Sequence, residues 1–356
     1  MVNFSVPADF TESSLINYYK LNEKYRGKKI TEVYGQITTG KVTASGRMTI
    51  SLPQITMKHL SHYIKACKKY GIEFNYTLNS SCMGNNEIVG EYREQIILFI
   101  LELHDIGVSS FTIAMPSLID IVKKYLPDMI IKASAICEIN SLQRAQHYKR
   151  LQINRIVLDP DITRQIKRIR DIISVFGEDT EIIVNNVCMR NCAYKMFHYN
   201  HDAHCTSREL CKEKEHYYYN KCSYQKALDE SNYIKLNWIR PEDLKSYINL
   251  GICRFKVQGR NYGNSDYILK VVDSYFSESF DGDLMALLTL FQPFTAFQPS
   301  IDNKKLDGFI ERFFSHPDLC CGLCRNCDYC LIYAKKSMDM DKLQEMNIYA
   351  RQLFQD

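Results

Sequence analysis

Five cysteines lie within eleven residues near the end of the chain, in the segment CCGLCRNCDYC at positions 320–330. Cys321, Cys324, Cys327 and Cys330 are each separated from the next by two residues. Evenly spaced thiolates are typical of ferredoxin-type iron-sulfur ligands, whereas zinc ribbons place two such pairs further apart. We therefore predict a metal centre in this tail, with an iron-sulfur cluster favoured and zinc as the alternative.

A second group of cysteines occupies the stretch 188–232, which has no convincing helical period and is rich in Cys, His, Tyr and Asn. A long irregular loop in a compact domain is usually functional. Because several soft thiolates must converge on one metal centre, we expect four of its five cysteines to bind an iron-sulfur cluster or Zn²⁺. The five are Cys188, Cys192, Cys205, Cys211 and Cys222. The histidines of the stretch, His198, His201, His204 and His216, are interpreted as polar loop residues, although an imidazole could replace one thiolate.

Three further residues are candidates for catalysis. Arg260 directly follows a predicted strand, where a guanidinium group suits a carboxylate or phosphate ligand. Glu87 and Glu242 could act in proton transfer. Residues at or near strand ends that could line a pocket are Tyr76, Asn185, Asn186, Trp238 and Gln258.

Short apolar segments that alternate with helical patterns must position these side chains. The predicted strands are residues 29–37, 72–78, 109–114, 128–134, 153–158, 181–187, 233–239 and 252–259. Strand and helix alternate eight times, which predicts an α/β fold of the TIM-like (β/α)8 barrel type, with a doubly wound open sheet as the alternative. In a barrel, the loops that follow the strands form one face, so Cys82, Cys137 and Cys188 are expected at the same rim.

The predicted domain organisation follows from these strands. Residues 1–27 form an N-terminal segment, and residues 28–282 form the barrel. A cysteine-rich insertion, residues 188–232, follows the sixth predicted strand, and residues 283–356 form a cysteine-rich C-terminal extension.

Composition narrows the functional classes. The chain has 356 residues, 46% of them hydrophobic, and 45 basic against 41 acidic residues, a formal net charge of +4. This small excess disfavours a nucleic-acid partner, and no apolar run approaches the roughly 18 residues that span a bilayer. We expect a cytoplasmic protein, in which 14 cysteines indicate metal or redox chemistry and not a disulfide framework.

Several motifs resemble peptidase family U32, also called the collagenase-like proteases. They are the segments FNYTLNSSCMGNNE, NNVCMRNCAYKMFHYN and IKLNWIRPEDLKSYINLGICRFKVQGRNYG, and the resemblance extends over about residues 28–280. It implies a TIM-barrel-like core and a 4Fe-4S cluster held by Cys188, Cys192 and Cys205. For the fourth ligand Cys222 is the first choice, with Cys211 and Cys82 as alternatives.

The resemblance also implies a range of activities. Some members of the family act as oxygen-independent hydroxylases with prephenate implicated as the oxygen source, some are described as proteases, and some act as heteromeric pairs. We therefore predict an iron-sulfur enzyme that hydroxylates or otherwise modifies a small molecule, peptide or RNA, with a prephenate-like anionic co-substrate. The alternatives are a collagenase-like protease and a non-catalytic electron-transfer or scaffold partner of a second family member. The chain contains no HExxH or GxSxG motif, and thiolates bound to a metal are poor nucleophiles, which disfavours proteolysis.

Overall fold

Eight parallel strands close into a barrel in the computed structural model, which describes residues 1–39, 42, 44–47, 52–205, 217–260, 265–290, 298–320, 324 and 327–354. The strands are β1 (Val2–Pro7), β2 (Lys28–Gly35), β3 (Glu73–Leu78), β4 (Ser110–Ile113), β5 (Ile130–Ala133), β6 (Arg155–Val157), β7 (Thr180–Ile183) and β8 (Arg254–Lys256). They pair in sequence order, and the pairing of Phe4 with Phe255 between β1 and β8 closes the ring. The predicted TIM-like (β/α)8 fold is confirmed.

Helices connect the strands and cover the outside of the barrel. They are α1 (Glu12–Lys24), α2 (Met57–Lys69), α3 (Glu91–Asp105), α4 (Pro116–Tyr125), α5 (Leu142–Arg150), α6 (Ile166–Phe176), α7 (Lys195–His204), α8 (Tyr217–Ala227), α9 (Asn232–Lys235), α10 (Leu244–Leu250), α11 (Ser265–Ser277), α12 (Leu284–Leu288), α13 (Glu311–Ser315), α14 (Tyr329–Ser337) and α15 (Met340–Phe354). Hydroxyl side chains of Thr11, Thr56 and Ser141 cap the first turns of α1, α2 and α5, which satisfies backbone N–H groups that a helix leaves free.

Three of the sequence-based assignments are wrong. Residues 188–232 are not an irregular loop throughout, because α7 and α8 lie within them. Residues 1–27 are not a segment outside the barrel, because β1 lies there and pairs with both β2 and β8. Residues 233–239 are not a barrel strand, because α9 occupies their beginning and Trp238 forms only an isolated antiparallel bridge with Asn185. The stretch is apolar because Trp238 is completely buried and packs 5.7 Å from Phe309 of the C-terminal extension. The cysteine-rich stretch therefore follows β7, the sixth of the predicted strands.

The inside of the barrel contains a buried ionic layer. The Lys132 ammonium group lies 2.6 Å from Glu32 Oε1 and 3.0 Å from Glu181 Oε2. Arg155 lies 3.7 Å from the other oxygen of Glu32, and the Ser5 hydroxyl donates to the same carboxylate at 2.6 Å. Both buried carboxylates are thus paired with cations, as buried charges require.

The C-terminal extension packs against the barrel through both charges and aromatic rings. Arg240, buried at the end of the predicted seventh strand, donates to the backbone oxygen of Asn303 and to Asp307. The ring of Tyr247 on α10 lies edge-on to that of Phe314 on α13 of the extension, with the ring centres 5.2 Å apart. Among the described residues, no helix is long and apolar enough to cross a membrane.

Candidate functional site

A cavity opens at the carboxyl ends of the barrel strands, where enzymes of this fold carry their active sites. About 650 Å³ of space lies between its walls, part of it continuous with bulk solvent. The lining includes three cationic side chains, Arg47, Lys256 and Arg260. Neutral polar groups complete much of the wall: Tyr34, Thr77, Asn79, Thr112, Ser134, Asn186, Tyr199 and Gln258. No acidic side chain lines the cavity among the residues that the structure describes. Its chemistry therefore suits an anionic ligand.

Arg260 projects into this cavity from the turn after β8. Gly259 precedes it with φ 140, a conformation that glycine adopts readily. The guanidinium donates to Gln36 Oε1 at 2.5 Å, to Thr77 Oγ1 at 2.7 Å and to Asn79 Oδ1 at 3.3 Å. These acceptors are neutral, so they orient the group without cancelling its charge. Burial, followed by repulsion from Arg47, lowers the pKa of Arg260 to about 10.

Lys256 is the second cation of the cavity. Its side chain is buried, and its Nζ has no hydrogen-bond partner in the described part of the chain. The nitrogen lies 3.3 Å from the centre of the Tyr34 ring. Burial lowers the pKa of Lys256 to about 7, because the attraction of Glu181 does not outweigh the loss of water. This amine can gain or lose a proton near neutral pH.

Arg47 links the cavity to the cysteine-rich stretch. It lies 3.4 Å from the buried carboxylate of Asp202 on α7, and it is close enough to Cys188 for their charges to interact. Tyr199, also on α7, lines the cavity and is an electrostatic neighbour of Cys188. Cavity and cysteines therefore share one rim of the barrel.

Three of the predicted cluster ligands lie near one another. The pKa of Cys188 is raised to about 11 by burial and then by the neighbouring Cys222. Cys192 is also an electrostatic neighbour of Cys222, and burial again raises its pKa. Cys222, near the end of the stretch, is therefore close enough to Cys188 and Cys192, at its beginning, for their charges to interact.

The remaining predicted ligands of this stretch are placed differently. Cys205 Sγ lies 3.6 Å from His201 Nε2, one helical turn earlier on α7. Cys211 lies outside the described residues, and Cys82 accepts a hydrogen bond from the backbone of Gly84 in the loop after β3. In the described part of the chain, no three His, Cys, Asp or Glu side chains are arranged as a finished metal site.

Asp161 fixes the beginning of the cysteine-rich stretch. Its carboxylate accepts from the Asn191 backbone at 3.1 Å, from Lys195 Nζ at 2.7 Å and from Asn237 Nδ2 at 2.8 Å. Asn191 has a φ of 50, which asparagine tolerates better than most residues. The turn between Cys188 and Cys192 is thus held by a buried carboxylate.

In the tail, Cys320 and Cys330 are half-buried, whereas Cys324 and Cys327 are exposed. The Cys330 thiol is an electrostatic neighbour of Cys320, and burial raises its pKa. Cys321 lies outside the described residues. All twelve described cysteines are free thiols.

The structure does not bring the two predicted catalytic glutamates to the cavity. Glu87 accepts a hydrogen bond from the hydroxyl of Ser117 at the start of α4. Glu242 accepts from the Phe280 backbone at 2.8 Å and from Asn303 Nδ2 at 2.9 Å, and it lies 3.1 Å from the Lys304 ammonium. These contacts tie Glu242 to the junction with the C-terminal extension. Catalytic roles for both glutamates remain predictions.

Sequence analysis found part of the cavity wall and missed its second cation. Asn186 and Gln258 line the cavity as expected. Asn185 instead donates to the backbone of Gln258, and the indole of Trp238 donates to the backbone of Tyr233. Tyr76 accepts from the backbone of Ile37. Lys256 was missed, although the alternation of positions 256, 258 and 260 placed it on the same face as Arg260.

Comparisons with known proteins agree with this architecture. Residues 29–286 match the model of "Peptidase family U32". A protein of Methanocaldococcus jannaschii described as an uncharacterized protease is 30% identical over 343 residues, which cover 95% of this chain and 99% of that protein. A solved U32 peptidase structure superimposes with a TM-score of 0.52 and 14% identity, covering 73% of this chain and 94% of the other. At that identity the superposition supports the barrel fold.

Proposed function

Because the chain belongs to peptidase family U32, we propose that it is an iron-sulfur enzyme of the oxygen-independent type that binds an anionic co-substrate at the barrel mouth. The observation that carries the proposal is the cavity with three cations and no acidic side chain in the described part of its wall. It lies beside Cys188, which is close enough to Cys222 for their charges to interact. A substrate pocket next to a metal centre is the arrangement that cluster-dependent modification requires.

The anionic nature of the ligand follows from the balance of charge. Asp202 partly neutralises Arg47, but the hydrogen-bond acceptors of Arg260 are neutral amide and hydroxyl groups. Lys132 pairs with both carboxylates deeper in the barrel, whereas no described carboxylate forms an ion pair with Lys256. A carboxylate ligand between Lys256 and Arg260 would satisfy both groups, and a dicarboxylate could also reach Arg47.

A 4Fe-4S cluster would be held by Cys188, Cys192, Cys205 and Cys222, and the tail cysteines would hold a second metal centre. When bound, an iron-sulfur cluster supplies single electrons at a potential set by its surroundings. Support for this assignment comes from Cys222, which is close enough to both Cys188 and Cys192 for their charges to interact, and all three are free thiols. Cys205 fits it if the end of α7 turns its thiol away from His201.

The chain's own residues would bind and orient the substrate. Arg260 would hold a carboxylate, since three neutral acceptors fix the plane of its guanidinium. Lys256 Nζ would donate or accept a proton, because its pKa of about 7 allows both forms at neutral pH. Tyr199 would separate the ligand from Cys188.

The proposal is tested by ligand binding and by metal analysis on the same preparation. Prephenate is titrated into anaerobically purified protein by calorimetry, and iron and acid-labile sulfide are measured per chain. Replacing Arg260→Gln should weaken prephenate binding roughly 10–100-fold, the cost of about 1.5–3 kcal/mol for a charged hydrogen bond. Arg254→Gln is the matched control, because Arg254 begins the same strand and donates to Glu178 at the opposite end of the barrel.

Loss of metal tests the cluster separately. Changing Cys188→Ser with Cys222→Ser should remove about four irons per chain, whereas Cys253→Ser, a half-buried cysteine that contacts Glu178, should remove none. Unchanged iron in the double variant would contradict the assigned ligands. The anion site would be contradicted if the Arg260→Gln and Arg254→Gln variants bound prephenate with the same affinity as each other, and likewise simple dicarboxylates.

A peptidase is the second candidate, favoured by one specific arrangement. Cys205 lies 3.6 Å from His201 Nε2, and His201 Nδ1 lies 3.7 Å from Asp202 Oδ1. A thiol, an imidazole and a carboxylate in this order could form a nucleophilic centre. The carboxylate of Asp202 also faces Arg47 and His198, which makes it a shared partner. Hydrolysis of labelled casein by metal-free protein would support this candidate over the first.

A further inference from the structure

Two arginines lie against the cysteine-rich tail, although both are far from it in sequence. Arg190, which follows the first two residues of the insertion, donates a hydrogen bond from Nη1 to Cys320 Sγ. Arg164, at the end of the loop after β6, is close enough to Cys320 and Cys330 for their charges to interact. The barrel thus presents two guanidinium groups to the two half-buried thiols of the tail.

Neither guanidinium has its donors satisfied within the described part of the chain. Nε and Nη2 of Arg164, and the same two atoms of Arg190, are buried without a hydrogen-bond partner. Arg164 donates only from Nη1, to the backbone oxygen of Ile234 at 2.6 Å. Buried polar groups are normally paired, so four unpaired nitrogens at one place indicate a missing acceptor.

Aromatic packing prevents Arg164 from reaching water. Its side chain is 1% exposed. The guanidinium carbon lies 4.5 Å from the ring centre of Trp238 and 4.8 Å from that of Phe309. The charge is therefore fixed at this position, and its acceptor must come to it.

The charge balance at this position also points to an anion. Arg164 and Arg190 repel each other, and no described carboxylate forms an ion pair with either. The thiols of Cys320 and Cys330 carry negative charge only when they are ionised. Four thiolates on Zn²⁺, or on a 4Fe-4S cluster, carry a net negative charge, and their sulfur atoms accept N–H hydrogen bonds.

We propose that Arg164 and Arg190 are the charge-compensating hydrogen-bond donors of an all-thiolate metal centre formed by Cys320, Cys330, Cys324 and Cys327. This inference rests on the proposed tail centre and is independent of the anion site at the barrel mouth. It replaces Cys321 of the sequence-based ligand set with Cys320, the thiol that receives the Arg190 hydrogen bond. Arg164 and Arg190 are positioning residues, because they act on the metal through its ligands.

The experiment measures how tightly the tail retains its metal. Full-length protein is purified without oxygen, and iron and zinc per chain are measured as a chelator is increased. A variant with Cys324, Cys327 and Cys330 changed to Ser gives the metal content without the tail centre. Arg190→Met removes the donor to Cys320, Arg190→Lys keeps the charge without the planar fork, and Arg168→Met alters an exposed arginine of α6 as the control.

Arg190→Met should lower the affinity of the tail for its metal by roughly 10–100-fold, as loss of a partner of a metal ligand typically does. Arg190→Lys should fall between that variant and the parent, and Arg168→Met should match the parent. If the metal is iron, electron paramagnetic resonance during a redox titration should show a lower reduction potential in Arg190→Met, because a nearby positive charge favours the reduced cluster. If the metal is zinc, only retention changes.

Equal metal retention in Arg190→Met and the parent would overturn the proposal, and so would unchanged metal content in the triple Ser variant. Prephenate binding at Arg260 is measured independently of metal retention in the tail. Failure of the tail proposal is therefore distinguishable from failure of the function proposed at the barrel mouth. Arg164→Met is the second variant. If Arg164→Met does not fold, the variants Arg190→Met and Arg190→Lys decide the question. In the described structure, the side chain of Arg190 donates one hydrogen bond, and its acceptor is Cys320.

Discussion

Lys256 Nζ lies 3.3 Å above the ring of Tyr34, and Lys132, on β5 of the same barrel, contacts two carboxylates instead. Both lysines are buried, but their surroundings differ. Coulombic attraction to Glu181 and Glu32 outweighs burial and raises the pKa of Lys132. Burial dominates at Lys256 and lowers its pKa to about 7. One lysine balances the interior, and the other is available to a ligand.

The two lysines therefore predict opposite effects of the same substitution on stability. Lys132→Met leaves two carboxylates buried without their main partner and should reduce the free energy of unfolding by about 3–5 kcal/mol. Lys256→Met removes a buried charge that forms no ion pair in the described structure, and should raise the free energy of unfolding by roughly 0.5–2 kcal/mol while weakening prephenate binding. Denaturant unfolding at pH 7 measures both. A large loss of stability in Lys256→Met would contradict a ligand-binding role.

The stabilising effect of Lys256→Met should depend on pH. The Lys256 amine has a pKa of about 7 when folded and 10.5 as the ordinary value. Above pH 10.5 it is neutral in both states, and below pH 7 it is charged in both, so the folded protein carries the full cost of burying the charge only at low pH. The stability difference between variant and parent should therefore shrink as pH rises from 7 to 10.

Binding of the anion should also depend on the protonation of Lys256. The proton that destabilises the folded protein should strengthen binding. As pH falls through about 7, Lys256 gains a proton and attracts a carboxylate ligand more strongly. Affinity for prephenate should increase by about tenfold between pH 8.5 and pH 6, if the charge contributes about 1.4 kcal/mol. Calorimetric titrations over this range measure it. The affinity of Lys256→Met should be constant, and an equal pH dependence in both proteins would assign the titration to another group.

The alternation of strands and helices made the barrel predictable, but it did not identify the first strand, β1. Seven of the eight barrel strands, β2 to β8, were found at their approximate positions because their side chains are buried on both faces, which gives continuous apolar runs. β1 was missed because VNFSVP places polar Ser5 inside the barrel, where its hydroxyl meets Glu32. Residues 233–239 were misassigned because burial by Phe309 produces the same apolar pattern as burial in a sheet.

Sequence spacing located the cysteines but not the groups that face them. The approach of Cys188 to Cys222 was expected from the resemblance and from the loop's composition. The contact of Arg190 with Cys320 joins positions 130 residues apart, and no local pattern marks either arginine. Contacts of this kind depend on how the C-terminal extension packs on the barrel, which periodicity does not report.

The junction between barrel and extension should depend on Arg240. This buried side chain forms a two-pronged pair with Asp243, at 2.7 and 3.1 Å, and also donates to Asp307 and to the backbone of Asn303. Arg240→Met leaves the Asp243 carboxyl group buried without its partner and should reduce the free energy of unfolding by about 3–5 kcal/mol.

Thermal and denaturant unfolding of Arg240→Met should be compared with Lys304→Met, which removes a partly exposed partner of Glu242 at the same junction. Exposed ion pairs contribute about 0–1 kcal/mol, so the control should change little. Equal effects of the two substitutions would show that the buried pair with Asp243 does not hold the extension in place.

Cys205 separates the two candidate functions, because a ligand and a nucleophile respond differently to the same changes. As a cluster ligand, Cys205→Ser should lower the iron content of the anaerobically purified protein, whereas His201→Ala should leave iron unchanged. As a nucleophile activated by His201 at 3.6 Å, Cys205→Ser and His201→Ala should both abolish hydrolysis of labelled casein without altering iron. Iron and hydrolysis are measured on the same samples. We expect the first pattern, since Cys205 belongs to the same cysteine-rich stretch as Cys188, Cys192 and Cys222. The second pattern would assign the chain to the peptidases by activity as well as by family.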